Sequence, residues 1–181
     1  MPRSPSEAGS REAILASAVD VVARNGVPGA RVEDIAAGAR VSLGLLNYHF
    51  GSRSSLLRAA LVAGLEQHSV PSGASVRELL QSGLAEEPQG PGGWWRIRLE
   101  ALRMSVFDAE VRAAVTISTE AWRAAITREL GGRPRDGEDA LLLIGLVDGL
   151  RQRVASGVML ANTARALLDE ALARTLETGA E

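Results

Sequence analysis

Few side chains here could do covalent chemistry. The 181 residues include two histidines, His49 and His68, and no cysteine. Disulfide frameworks, thiolate metal sites and cysteine nucleophiles are therefore excluded together, which suits a reducing cytoplasm. No glycine-rich phosphate loop follows a strand pattern, and no His, Asp or Glu cluster has metal-ligand spacing. His68 sits near the end of a helical run with no carboxylate partner in view. The sequence thus gives no catalytic residue, no metal site and no cofactor, and an enzyme is not expected. Polar and cationic side chains do stand together in one short stretch: Ser42, Asn47, Tyr48, His49 and Arg53. Residues 1–60 carry a net charge of +2 and residues 61–181 a net of −4, with every cation an arginine. A mildly basic front and an acidic remainder suit a nucleic-acid-binding head on a non-binding body. The absence of lysine is read as compositional bias.

The elements that must position these residues all read as helices. Apolar residues recur with a 3.6-residue period, and no stretch alternates with period two. Ser10–Asn25 puts Ile14, Ala18, Val21 and Val22 on one face, and Asn25-Gly26 stops it before the turn at Pro28-Gly29. Val32–Ala39 is a short helix with Glu33 and Asp34 in its first turn. Ser42 caps Leu43–Phe50, and Ser52 caps a helix reaching about Ser69. Further helices are expected at Ser75–Glu86, Trp94 to about Phe107, Ala109–Leu130, Glu138–Gly157 and Thr163–Leu176, with a loop at Glu87–Gly93. The fold class is all-α, with about nine helices: an N-terminal helix-turn-helix three-helix head and a C-terminal helical bundle. The division is a flexible tail over 1–9, a helix-turn-helix domain over 10–58, and a ligand-binding and dimerisation domain over 59–181.

Helices of two turns do not stand alone in water. Ile35, Ala36, Val41 and Leu46 must therefore pack on the first helix, with small Ala36 and Ala39 allowing a close crossing. The outer face of Leu43–Phe50 is left free to enter a major groove. The run Arg11–Ile14–Leu15, Gly26, Val32–Ile35–Ala36, Val41–Ser42–Leu43–Gly44, Asn47-Tyr48-His49-Phe50 and Ser52-Arg53 resembles the TetR family of bacterial repressors, over residues 10–58. The chain departs from that pattern at Arg40, where the family usually has Gly, at Arg31 for a helix-opening Thr, and at Asn47, the usual Tyr position. The resemblance implies a transcriptional regulator bound to double-stranded operator DNA. It implies phosphate contacts for Arg31, Ser42, Tyr48, His49 and Arg53, and base contacts for Leu43, Gly44 and Asn47. Tyr48 covering the module's edge and His49 packing beside Phe50 are the alternative readings of those two.

The remaining residues exceed what a head of this size needs. In the family they hold a small-molecule effector and pair with a second subunit, so a homodimer through helices near 138–157 and 163–176 is implied. The sequence supports this independently, because Leu141–Val147 is apolar almost all round and Thr163–Leu176 carries a clean stripe. A central core helix is the other reading of Leu141–Val147. The candidate ligand-binding residues are Trp95, Arg98, Met104, Phe107 and Trp122, although such side chains also fill cores. No apolar run reaches the roughly 20 residues of a membrane helix, and the polar N-terminus lacks a signal-peptide core. A cytoplasmic protein is expected. The alternative function is a helical-bundle interaction module without DNA binding, which would leave the pattern from Ser42 to Arg53 unexplained.

Overall fold

A computed structural model describes residues 7–67, 70, 73–82, 84 and 94–178. Among them are nine helices and no strand: α1 Glu7–Gly29, α2 Val32–Ala39, α3 Leu43–Phe50, α4 Arg53–Gln67, α5 Val76–Ser82, α6 Trp94–Ser105, α7 Ala109–Leu130, α8 Asp136–Ala155 and α9 Ala161–Thr178. Two compact units divide the chain, and α6 and α7 contribute to both. The first takes the chain up to His68 together with Arg96–Val115. The second takes Ser69–Trp95 and everything from Thr116 on.

The first unit buries the face expected of α1, namely Ile14, Ala18, Val21 and Val22, against Ile35, Ala36, Leu46 and the inner side of α4. Two close approaches fix its packing. A Cβ on Gly38 would lie 2.4 Å from the Ser17 hydroxyl, which donates to the Ile35 carbonyl at 2.9 Å. Gly38 thus joins Ala36 and Ala39, which pack in the same core, in letting α2 approach α1 closely. A Cβ on Gly64 would lie 2.8 Å from Ile97, so α4 and α6 also meet at a glycine.

Glu7–Gly9, placed by the sequence in a flexible tail, are the first turn of α1. Residues 1–6 and the expected loop Glu87–Gly93 lie outside the described residues. Helix α1 is broken at Gly26, whose φ of 69° and ψ of 170° leave the helical region. The break frees backbone groups that must find partners elsewhere. Pro28 has no N–H to offer the Arg24 carbonyl. The Val27 N–H goes to the Glu100 carboxylate at 2.9 Å. Arg96 then donates to the Ala23 carbonyl at 2.8 Å and to that of Arg24. Arg53 donates to Val27 O at 2.7 Å and to Ala30 O at 3.0 Å. Three side chains from α4 and α6 therefore complete the end of α1.

The second unit packs Leu79, Leu80, Trp122, Ile126, Leu143, Ile144, Leu150, Leu168 and Leu172 into its own core. Ser75 and Glu78 form a reciprocal capping box on α5: the Ser75 N–H donates to the carboxylate at 2.8 Å and the Glu78 N–H to the hydroxyl at 3.3 Å. The backbone bond from Ser75 is the main reason the Glu78 carboxyl lies below its ordinary range. Helix α8 starts two residues before the expected Glu138. Asp136, buried, accepts from the Arg133 guanidinium at 2.9 Å and its N–H at 2.6 Å. Those bonds, the side-chain one first, pull the Asp136 carboxyl below its ordinary range against the opposing effect of desolvation.

Candidate nucleic-acid interface

The short helices α2 and α3 are held by a turn with an unusual residue in it. Arg40 adopts φ 57° and ψ 42°, and is the one non-glycine with positive φ among the described residues. Its N–H bonds to Ala37 O at 3.1 Å and the Val41 N–H reaches Ala36 O at 3.0 Å, the six-to-one bond of a Schellman cap. Such caps favour glycine, because an L side chain costs about 1 kcal/mol or more in the left-handed region. The backbone thus keeps the turn geometry that a glycine would serve. Arg40 is exposed, and so is Arg31 at the N-terminus of α2, where its side chain caps nothing.

Helix α3 begins where Ser42 accepts the Leu45 N–H at 3.1 Å, which leaves the Ser42 O–H free to donate outward. Leu46, 1% exposed, is the buried residue of the helix. Leu43, Gly44, Asn47 and Tyr48 face out, Tyr48 at 72% exposure. Gly44 is informative. A Cβ there would meet nothing nearer than the Ser42 hydroxyl at 3.8 Å, so nothing among the described residues demands a glycine. His49 is half-buried, edge-on to Tyr48 and to Phe50, and its Nε2 is buried with no hydrogen-bond partner among the described residues. Phe50 is partly buried against the core, with Arg11 5.3 Å above its ring. The structure therefore brings Ser42, Leu43, Gly44, Asn47 and Tyr48 onto one exposed surface, turns part of His49 inward, and places Arg53 on the end of α1.

Residues 14–60 match the profile of the bacterial regulatory proteins of the tetR family. Over those residues the chain carries that family's profile, and along its length it resembles a TetR-family transcriptional regulator of known structure. A Rhodococcus sp. protein assigned to the TetR family shares 27% identity, with 93% of this chain and 99% of that one aligned at a TM-score of 0.68. A Saccharomonospora viridis protein assigned as a transcriptional regulator, solved with choline, shares 25% identity over 90% of this chain and 95% of that one, at a TM-score of 0.71. The multidrug binding protein EbrR, complexed with proflavin, aligns over 90% of this chain and 99% of its own at 22% identity and a TM-score of 0.60. At that identity the likeness is one of fold. No curated protein sequence matches the chain. In that family the N-terminal head is the DNA-binding part, and the sequence pattern from Ile14 to Arg53 lies within the profile.

The five candidate ligand residues do not share one unit. Trp95 and Trp122 belong to the second, and Arg98, Met104 and Phe107 to the first. Arg98 is buried and Met104 partly so. Phe107 is 86% exposed, so it does not line the interior of its unit. The reason is local: the N–H groups of Phe107 and Asp108 both return to Met104 O, ending α6 two residues short of the expected bound and leaving Phe107 on a turn. Asp108 then caps α7 by accepting from Val111 N at 3.1 Å, and takes Arg58 at 2.6 Å. The cap bond is the first cause of its lowered carboxyl pKa. In the second unit, Trp94 and Trp122 stack with centroids 5.6 Å apart and planes 9° from parallel. Arg151 lies 4.3 Å above the Trp95 ring. Sequence reasoning overlooked Arg151, which sits on α8 more than fifty positions from its aromatic partner.

Proposed function

We propose that the chain acts as a homodimeric repressor that leaves its operator when a small molecule binds. The observation that carries the DNA contact is the outward face of α3, polar and exposed, with a glycine that the protein's own packing does not require. A missing side chain at Gly44 allows a groove wall to approach the helix closely. Asn47 is suited to bidentate pairing with adenine, and Leu43 to apolar contact with a thymine methyl. Ser42, Tyr48 and Arg31 would serve as phosphate contacts, Arg31 beside a helix N-terminus. His49 would have to reach a phosphate through Nδ1. Arg53 keeps Nη1 for one, since Nε and Nη2 are taken by Val27 and Ala30.

The second copy is assigned to α8 and α9. Leu143 and Ile144 turn into the core while Leu141 and Leu142 turn out, Leu142 at 72% exposure. Leu167 and Leu176 are outward on α9. A two-fold pairing of these helices buries that surplus in a four-helix interface and sets two reading helices on successive major-groove faces. The complexes of fold relatives with choline, proflavin and ethidium support an effector. Its effect on DNA equals its differential affinity for the two dimer arrangements. Among the described residues no helix is long and apolar enough to cross a membrane. The direct test is selection of sites from random double-stranded DNA with the purified protein. An inverted repeat is expected; a pool no different from the input would overturn the reading.

A further inference from the structure

Wherever the backbone of the described residues turns left-handed, the chain supplies a glycine, with one exception. That exception is Arg40, at φ 57° and ψ 42° in the turn joining α2 to α3. Glycine or asparagine would close the same Schellman cap without the steric cost that an arginine carries there. A backbone held in a costly conformation persists where something else is gained, and such residues gather at functional sites. Within the described residues nothing repays the cost. The Arg40 side chain is exposed, and among the described residues it makes no hydrogen bond and no ion pair. Other guanidinium groups of the first unit are taken up by the fold. Arg53 and Arg96 serve the end of α1, Arg58 takes Asp108, and Arg11 lies over Phe50. Arg40 differs: backbone bonds to Ala37 O and Ala36 O fix its turn, while its charge is left to meet a partner outside the chain.

The place of the turn says which partner. Val41 packs against the core and Ser42 opens α3, so Arg40 stands two residues from the start of the outward face. Two residues span at most about 7 Å. In a helix-turn-helix module the second helix enters the groove and the first crosses the sugar-phosphate backbone, so a turn between them is close to both. A forked cation there suits a phosphate oxygen. We infer that Arg40 is a further DNA contact, made to a backbone phosphate beside the first turn of α3. The inference rests on the reading of α3 as the helix that enters the groove, and adds a residue to it.

The test uses the full-length protein, a duplex recovered by selection from random DNA, and a random-sequence duplex of the same length. Affinity for both is followed between about 0.05 and 0.2 M sodium chloride. R40Q removes the charge but keeps a side chain on the left-handed backbone. It should flatten the slope of log affinity against log salt by about 0.9 for each Arg40 engaged, and weaken both duplexes alike by roughly five- to tenfold at about 0.1 M salt. R40K should keep the native slope. R40G should lose the affinity that R40Q loses while its melting temperature rises. Selection with R40Q should recover the native site with native preferences, since a phosphate carries no sequence information. A lowered melting temperature of R40Q at unaltered affinity and slope would show a structural side chain and overturn the inference. Native affinity in R40G would overturn it too, as would relaxed base preference in R40Q, which marks a base reader instead. These results leave the regulator reading standing. Failure of the native protein to bind either duplex overturns that reading, and this inference with it.

Discussion

The two units place their unused chemistry on opposite sides. In the first, α2 and α3 are eight residues each and depend on α1 and α4 for burial. They bury Ile35, Ala36 and Leu46 and leave Ser42, Asn47 and Tyr48 outside, while the unit also buries Ser17 and Arg98. In the second, helices of 18 to 22 residues present leucines outward and keep tryptophan and arginine within. On the proposed function, the α3 surface answers a partner of fixed shape and charge. On the same proposal, the second unit holds a small molecule and a second copy, partners that differ from protein to protein. The contrast explains why one half carries a readable motif and the other only a helical period.

Substitutions in the head should separate support from contact. Leu46→Ala removes the buried anchor of α3 and should cost about 2–5 kcal/mol by denaturant unfolding, with DNA binding lost as well. An unchanged midpoint would mean that α3 is held some other way. The glycines divide more finely. Gly64→Ala drives a Cβ into stiff Ile97 and should cost about 1–3 kcal/mol, so it tests whether α4 and α6 truly meet there. Gly44→Ala meets open space and should raise stability by about 0.5–1 kcal/mol through helix propensity, while weakening DNA binding. If Gly44→Ala left affinity intact, the glycine would have no role at a groove wall.

How far the sequence could be read follows the same line. The buried face of α1, the bounds of α2, α3 and α7, and the Ser42 cap all come from signals within a few residues of one another. The placement of Arg53 does not. As a cation at the start of α4 it reads as a phosphate contact, yet two of its nitrogens complete the end of α1. Gly26 and Pro28 announce that carbonyls will be freed, but nothing local says that Arg96 and Glu100, some seventy residues on, will serve that end of the helix. Phe107 shows a smaller failure. Its apolar side chain suggested a lining role, and the early stop of α6 left it in water. Arg151 and Trp95 illustrate the same limit in the second unit, since cation and ring come from different helices.

Two milder changes sharpen the comparison. Arg40→Gly should relieve the left-handed turn and raise stability by about 1 kcal/mol, read as a higher melting temperature. A fall would show that the Arg40 side chain contributes contacts that outweigh its backbone cost. Acid should act on both units in one window. Asp108 and Asp136 have folded-state pKa values below the unfolded ones, so each adds stability that is complete above the unfolded carboxylate pKa of about 4 and fades as pH falls through the lower folded value. The deficit of Asp108→Asn or Asp136→Asn should therefore be full at neutral pH and shrink below pH of about 4. A deficit that grew on acidification would contradict the lowered values.

The central claim is that the outward face of α3 reads base sequence, and Asn47 is the residue on which it turns. Selection from random DNA should be run in parallel with the native protein and with Asn47→Ala. The native protein should recover an inverted repeat, and Asn47→Ala should recover the same repeat with preference relaxed at one symmetry-related pair of positions, a loss of about 1–3 kcal/mol per bidentate contact. Recovery of identical sites with identical preferences by both proteins would contradict it.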